Sequence, residues 1–514
     1  MAEVYVRADV WTLAADDPVI TAYAKAVAAM QAKPAASPVS WAYQAAIHGS
    51  TAAHPPAYAN QCRHGTWFFL SWHRMYLYYF ERIVRAQVIA DGGPASWALP
   101  YWNYDGGGNH NSLPVAFRNP THPDGSHNPL YVANRNPGIN AGAGLKPVVT
   151  SPAHALSRPA FTGDSEFGGG ITPPLGQFWS QTGQLEMTPH NVVHDTIGGL
   201  MGDPDTAAQD PIFWLHHANI DRLWWLWAQH HGNPILPKWT AQSFSFVDAN
   251  GKPAALTCAQ VESTTTLGYS YVAQAAPVPA PAPAPAPAAA SAPPPAAGEP
   301  AAQEQGAPAP AAPGGPAAPE GAAMAWPAPW PARPANPQPD TGAPAVRQLL
   351  GATTQPVLLV GSAVTVPVTI DDRAAAAAAG GPAQHRAFLD VEDIEAARNP
   401  RQVYGVYVNL PAQPGDADLA AHHVGNVALF GVERARNPRG DQQPHGLRSS
   451  LEITRLLNHL AADGSWQDGH QLAVTLAPIT LEPPAGQPDL AAQLAATAHP
   501  GLPVTIGRIS VYYA

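Results

Sequence analysis

The chain has 514 residues, too many for one ordinary domain, and its 46% hydrophobic content is ample for a large buried core. A formal net charge of −11, with no lysine- or arginine-rich run, argues against nucleic acid or an anionic membrane surface as partner. Two cysteines exclude a disulfide scaffold, and no apolar run reaches the roughly 20 residues that span a bilayer. The opening MAEVYVR lacks a basic stretch followed by an apolar core. No signal peptide is therefore expected, and a cytoplasmic location is the default, with export by a carrier protein left open.

Composition divides the chain into residues 1–272, 273–345 and 346–514. In the first part, Trp67 to Val84 is apolar and aromatic on nearly all sides, which predicts a helix buried in a bundle. Pro189 opens a second helical segment, His190 to Thr196. Pro211 to Gln229 repeats the apolar character, with Pro211 suited to a first helical turn. The expected fold is a mainly α domain built on a four-helix bundle.

The second part is written in Ala-Pro repeats, as in Pro277 to Pro287. Proline removes backbone donors and alanine buries little, so no core forms here. At about 3.1 Å per residue such a linker has a contour near 200 Å. Trp326 and Trp330 are unusual in it and suggest a docking point.

The third part predicts strands over VLLVGSAVTVPVTI, RAFLDVEDI, VYGVYVNL, NVALFGVER, QLAVTLAPITL and VTIGRISVYY. Tyr404, Val406 and Val408 alternate with Gly405, Tyr407 and Asn409, a two-residue period. One helix is expected around Leu451 to Leu460. The sum reads as a small all-β sandwich.

Histidines cluster on or beside the helical segments. His190 and His194 are four apart, so on a helix they share a face and can share a metal. His216 and His217 are about 100° apart around a helix, so one of them is expected to face that metal and the other the core. His48, His64 and His73 form a second set. Neutral imidazoles with no competing cysteine or carboxylate cluster suit copper better than magnesium or calcium, and zinc remains an alternative from ligand type alone.

HGTWFFLSWHRMYLYYFERIV, PYWNY, PHNVVHDTIGG and DPIFWLHHANIDRLWWLW resemble the tyrosinases and polyphenol oxidases, along the whole of the first part. The resemblance implies two copper ions per chain, one held by His48, His64 and His73 and the other by His190, His194 and His217. His216 would stand behind the ligands. Asp221, one turn after His217, would hold that helix or ligand. Ser71 departs from the family's usual proline. LGYSYV (267–272) resembles the tyrosine motif closing the catalytic domain of plant polyphenol oxidases. The third part resembles, more loosely, the domain that covers their active site in a latent form. A Cys-x-His in fungal and molluscan relatives carries a thioether, which implies a Cys62–His64 crosslink; Cys258 shows no role.

By the same resemblance, Glu186 and Asn191 match the pair that orients a water base in members that hydroxylate monophenols. The expected function is oxidation with O2: ortho-hydroxylation of monophenols and conversion of o-diphenols to o-quinones. A catechol oxidase without monophenolase activity is the alternative, with an oxygen carrier of haemocyanin type and a zinc hydrolase as more distant ones. Asp195 follows His194, and the loop Gly202 to Gln209 is expected to border the entrance, where Asp203 and Asp205 would favour amine-bearing or zwitterionic phenols or would simply be solvated. A homo-oligomer is left open.

Overall fold

The computed structural model describes residues 4–271 apart from 123 and 164, and then 347–370, 386–439, 442–462, 471–484, 486, 490 and 502–513. The linker, with Trp326 and Trp330, lies outside the described residues.

Helix α1 (Pro18–Gln31) begins where Asp17 accepts the Val19 N–H at 2.8 Å, with Pro18 in the first turn. Ile20, Tyr23, Ala24, Val27 and Met30 give it a buried stripe at helical spacing. Ser40 caps α2 (Trp41–His48), which ends on His48. The segment predicted from Trp67 begins at Phe69 and runs to Ala90 as α3, packed between α1 and the later helix α5. A turn of π-helix over Glu186–Asn191 leads into α4 (Val192–Ile197), which stops at Gly198 and Gly199 with φ of 64° and 59°.

Helix α5 (Ile212–Trp227) starts one residue after Pro211. Asp210 takes the Ile212 N–H at 3.1 Å and is itself gripped by Arg135 at 2.7 and 2.9 Å. The catalytic part is helical, with two long helices, α3 and α5, and two short ones of eight and six residues, α2 and α4. A parallel pair, β1 (Tyr5–Arg7) with β4 (Tyr269–Tyr271), brings the chain's first strand to the tyrosine motif, and β2 (Ser243–Val247) pairs with β3 (Pro253–Thr257).

The third part contains β5 (Gln348–Ala352), β6 (Val357–Leu359), β7 (Val364–Ile370), β8 (Ala387–Ala396), β9 (Tyr404–Val408), β10 (His423–Val427), β11 (Leu447–Glu452), β12 (Gln471–Pro478) and β13 (Val504–Tyr513). They form one antiparallel sheet in the order β10-β9-β12-β7-β5-β13-β8-β11, with β6 also on β13. Leu451 of β11 packs on Gly425 of β10, where a Cβ would fall 2.5 Å from it. The two ends of the sheet therefore meet, and the domain is a rolled, nearly barrel-shaped sheet rather than the expected sandwich. Twist accumulating over many strands curls a sheet until its edges approach. The expected helix is present, shifted to Thr454–Ala462.

The segment NVALFGVER departs further. Its strand ends at Val427, and a turn at 428–431 leads into a short helix, Val432–Arg436. Gly431 has φ of 88°, and the Leu429 and Phe430 N–H groups are bound by Asp195 of the first domain instead of a neighbouring strand. Further contacts join the two domains. Gly144 and Glu482 exchange backbone hydrogen bonds at 2.7 and 2.8 Å, Asn426 donates to the Val148 carbonyl, and Arg158–Glu452 and Arg386–Glu166 form ion pairs. Among the described residues no helix is long and apolar enough to cross a membrane.

Candidate metal centre

His48 ends α2, His64 lies in the loop before α3, and His73 is in the second turn of α3. Each offers a ring nitrogen, and these atoms lie within 4.8 Å of one another. His190, on the π-turn, and His194, on α4, form an equally tight group with His216 and His217 of α5. The groups adjoin, with His73 stacked on His217 at 4.5 Å between centroids and His64 lying 5.7 Å from His190.

Four of the rings are oriented through Nδ1. His48 bonds the Pro204 carbonyl (2.7 Å), His73 the Phe69 carbonyl (2.8 Å), His194 the Met201 carbonyl (2.7 Å) and His190 the Asn191 Oδ1 (2.8 Å). A bond from Nδ1 to a carbonyl fixes the tautomer with the proton there and leaves Nε2 a bare lone pair. Nε2 of His48, His73 and His190 is buried with no hydrogen-bond partner among the described residues, as are both ring nitrogens of His64 and Nδ1 of His217. Burial, reinforced by mutual repulsion for most of the rings, pushes all of them down: His48 to about 3, the others well below the usual histidine range. So many orphaned acceptors in an apolar interior are costly unless something binds them. A pair of borderline-soft cations fits this donor set.

Only one ring of the pair was expected to face the second metal. Both turn into the group, because two side chains 100° apart on α5 can bend toward the same interior volume. They differ in surroundings. His217 lies between the groups, its Nε2 3.3 Å from that of His194, whereas His216 packs on Tyr104 at 5.8 Å.

Glu186 is buried, with Oε1 accepting the Gly65 N–H at 2.8 Å and Oε2 unpaired among the described residues. Burial holds its carboxyl well above the usual range, against the pull of that N–H. Asn191 touches the site through its bond to His190. The side-chain hydrogen bonds of Asp221 run to arginines and tyrosines. It joins Arg74 of α3 (2.5 Å), Arg7 of β1 (3.1 Å), Tyr269 (2.6 Å) and Tyr271 (2.5 Å). Burial opposes its ionisation, yet Arg74 and Arg7 hold its carboxyl below the usual range. It thus locks α5, which carries His217, to α3, which carries His73.

Cys62 is a buried thiol that accepts from Gln177 Nε2 at 2.9 Å. Cys258, without a role in the sequence reading, donates to Ser71 Oγ at 3.2 Å. Ser71 in turn donates to the Phe68 carbonyl, so the position that departs from proline keeps a hydroxyl with partners on both sides.

Sequence reasoning missed what fills the space in front of the rings. Phe430 stacks on His194 (4.2 Å, 21° between planes) and meets His64 and His190 edge-on at 5.4 and 5.7 Å. Asp195 is fully buried and takes the N–H of Leu429 (2.5 Å) and Phe430 (2.9 Å) on Oδ2 and the Asn399 amide (2.7 Å) on Oδ1. Burial pushes its carboxyl up to about 7, against those donors. Asp205, expected at an open entrance, is paired with Arg434 and Arg439 of the second domain. Asp203 caps its own turn through the Asp205 N–H.

A family profile described as the common central domain of tyrosinase matches residues 38–230, and one described as a domain of unknown function (DUF7868) matches residues 346–514. Tyrosinase HcTyr1 of Hahella sp. (strain CCB-MM4) is 33% identical over 500 residues, covering 90% of this chain and 93% of that protein. The chloroplastic (+)-larreatricin hydroxylase of Larrea tridentata is 32% identical over 292 residues, covering 50% of this chain and 47% of its own length. Latent apple tyrosinase (MdPPO1) has the same fold, with a TM-score of 0.57 at 20% identity over 100% of this chain and 98% of that one. With two adjoining histidine groups and a relative alike along nearly its whole length, the chain is a member of the tyrosinase and polyphenol oxidase family of copper oxidoreductases.

Proposed function

We propose that the protein is a copper-dependent phenol oxidase that ortho-hydroxylates monophenols and oxidises o-diphenols to o-quinones with O2. The observation that carries this reading is the pair of adjoining, buried imidazole groups with unpaired ring nitrogens. His48, His64 and His73 would hold one copper ion, and His190, His194 and His217 the other. His217 is preferred to His216 because it lies between the groups. When bound, the two ions supply the redox chemistry between O2 and the phenol.

The chain's own residues hold the rings neutral and oriented and keep water out. A phenol has a pKa near 10, so its hydroxylation near neutral pH needs a proton acceptor. Glu186 Oε2, buried and unpaired, together with Asn191 would orient a water for that role. A catechol oxidase lacking the first activity is favoured by one observation: Asn191 Oδ1 is already engaged by His190. Phe430 would keep the intact chain latent. Cys62, two residues from His64, would form a thioether to it, detectable as a modified peptide in copper-loaded protein by mass spectrometry.

The test is copper content and O2 consumption with L-tyrosine and L-DOPA side by side, on intact chain and on chain trimmed after about residue 345. Two copper ions with turnover of both substrates are expected. Reversible O2 uptake without turnover, or zinc retained in preference to copper, would sink the reading.

A further inference from the structure

A cavity of about 360 Å³ lies on the seam between the two domains and shares no lining residue with the histidine groups. The first domain contributes His154 and Arg158, in and just after the short helix Ala153–Leu156. The second contributes His423 of β10, Glu452 of β11, and Arg455 and His459 of the helix Thr454–Ala462. The carboxylates here are already taken. Glu452 Oε2 receives Arg158 Nη1 and, at 2.8 Å, Arg386 Nη2, while its Oε1 accepts the Thr454 hydroxyl at 2.9 Å. Arg386 Nη1 is on Glu166. Three guanidinium groups, Arg158, Arg386 and Arg455, thus meet two carboxylates, and Arg455 forms no ion pair among the described residues. Arg158 is 7% exposed, and its Nη2 has only long contacts, 3.3 Å to His154 Nε2 and 3.4 Å to Ser157 Oγ. A buried guanidinium nitrogen held this loosely keeps bonding capacity for a better acceptor. Burial and the charge of Arg386 bring Arg158 down to about 10, and burial and the charge of Arg158 bring His154 to about 3. Positive charge is in excess here.

We propose that this interdomain cavity binds a small polyvalent oxyanion, phosphate or a compact polycarboxylate, between Arg158 of the first domain and Arg455 of the second. The planar fork of a guanidinium matches the oxygens of such anions, and one that is already buried gives up little further hydration on binding. Because the walls come from both domains, the anion binds only while they are docked and so strengthens the docking.

The experiment titrates the copper-loaded full chain with phosphate, with citrate and, at matched ionic strength, with chloride. Binding is read by calorimetry and by hydrogen exchange in β10 and in the helix Thr454–Ala462. Phosphate or citrate is expected to bind at one site and to slow exchange in both elements, and which of them binds tighter identifies the source of the anion. R455A should weaken that binding about tenfold, and R455K should restore most of it. Arg455 is exposed, so its replacement tests the site without disturbing the core. Neither heat nor slowed exchange with both anions, a response that chloride reproduces, or an R455A chain that binds as the unaltered one does, overturns the site. No step of the test uses turnover, so its outcome is independent of whether the chain oxidises phenols.

Discussion

The imidazoles at the centre are neutral because burial leaves them no alternative, and a neutral ring is what a metal ligand must be. Asn191 shows how one side chain serves such a ring, since its Oδ1 fixes His190 by Nδ1. Asn191→Ala is expected to lower activity on L-tyrosine about tenfold more than on L-DOPA, read as separate kcat/KM values. Equal losses would reduce Asn191 to a prop for the ring. Asp105, next to the Tyr104 that packs on His216, gives a pH-dependent case. Burial, opposed by Arg222, raises its carboxyl to about 7. The folded chain therefore holds this proton more tightly than the unfolded one. Its penalty is absent below about pH 4, grows as pH rises, and levels off above about 7. Asp105→Asn should raise stability by about 1–3 kcal/mol at about pH 8 and by less at about pH 5, measured by denaturant melts.

At the scale of elements, the two groups adjoin because α3 and α5 are fixed to each other, by ring packing of Tyr76 and Phe80 on Trp214 and by the polar tie of Asp221. It collects Arg74, Arg7, Tyr269 and Tyr271, so β1 and β4 at the two ends of the catalytic part are fastened to the same point. Asp221→Ala leaves the buried Arg74 without a carboxylate partner and Arg7 with Glu81 alone, and a loss of about 3–5 kcal/mol is expected in a denaturant melt, together with lower copper occupancy. Tyr269→Phe removes one donor and should lose only about 1 kcal/mol. The plug loop is the opposite kind of element, short, turned at Gly431 and held from outside. Phe430→Gly should raise the turnover of the intact chain toward that of trimmed protein. Unchanged latency would move the block elsewhere.

For the whole molecule, the second domain is attached at many separate points: the Gly144–Glu482 bridge, Asn426 to Val148, Arg158–Glu452, Arg386–Glu166, Arg434–Asp205 and the plug itself. Contacts spread this widely do not need the linker to stay formed. A single proteolytic cut between residues 273 and 345 is therefore expected to leave both pieces co-eluting on gel filtration and the enzyme still latent. Deletion of everything after about 345 should release activity. Separation and activation by the cut alone would show that the tether holds the lid.

Local pattern in the sequence was enough to single out the histidines that the structure gathers into two buried groups. His48, His64, His73, His190, His194 and the 216–217 pair lie on or beside apolar helices, and burial is a property such apolar spacing encodes. It was also enough for most strands of the second domain. Tertiary structure alone decided that the sheet rolls up, that both rings of the histidine pair turn inward, and that NVALFGVER is a strand, a turn and a plug. A strand and an extended loop share the same apolar text. Which one forms depends on where its N–H groups find acceptors, and here the acceptor is Asp195, 234 residues away in the chain.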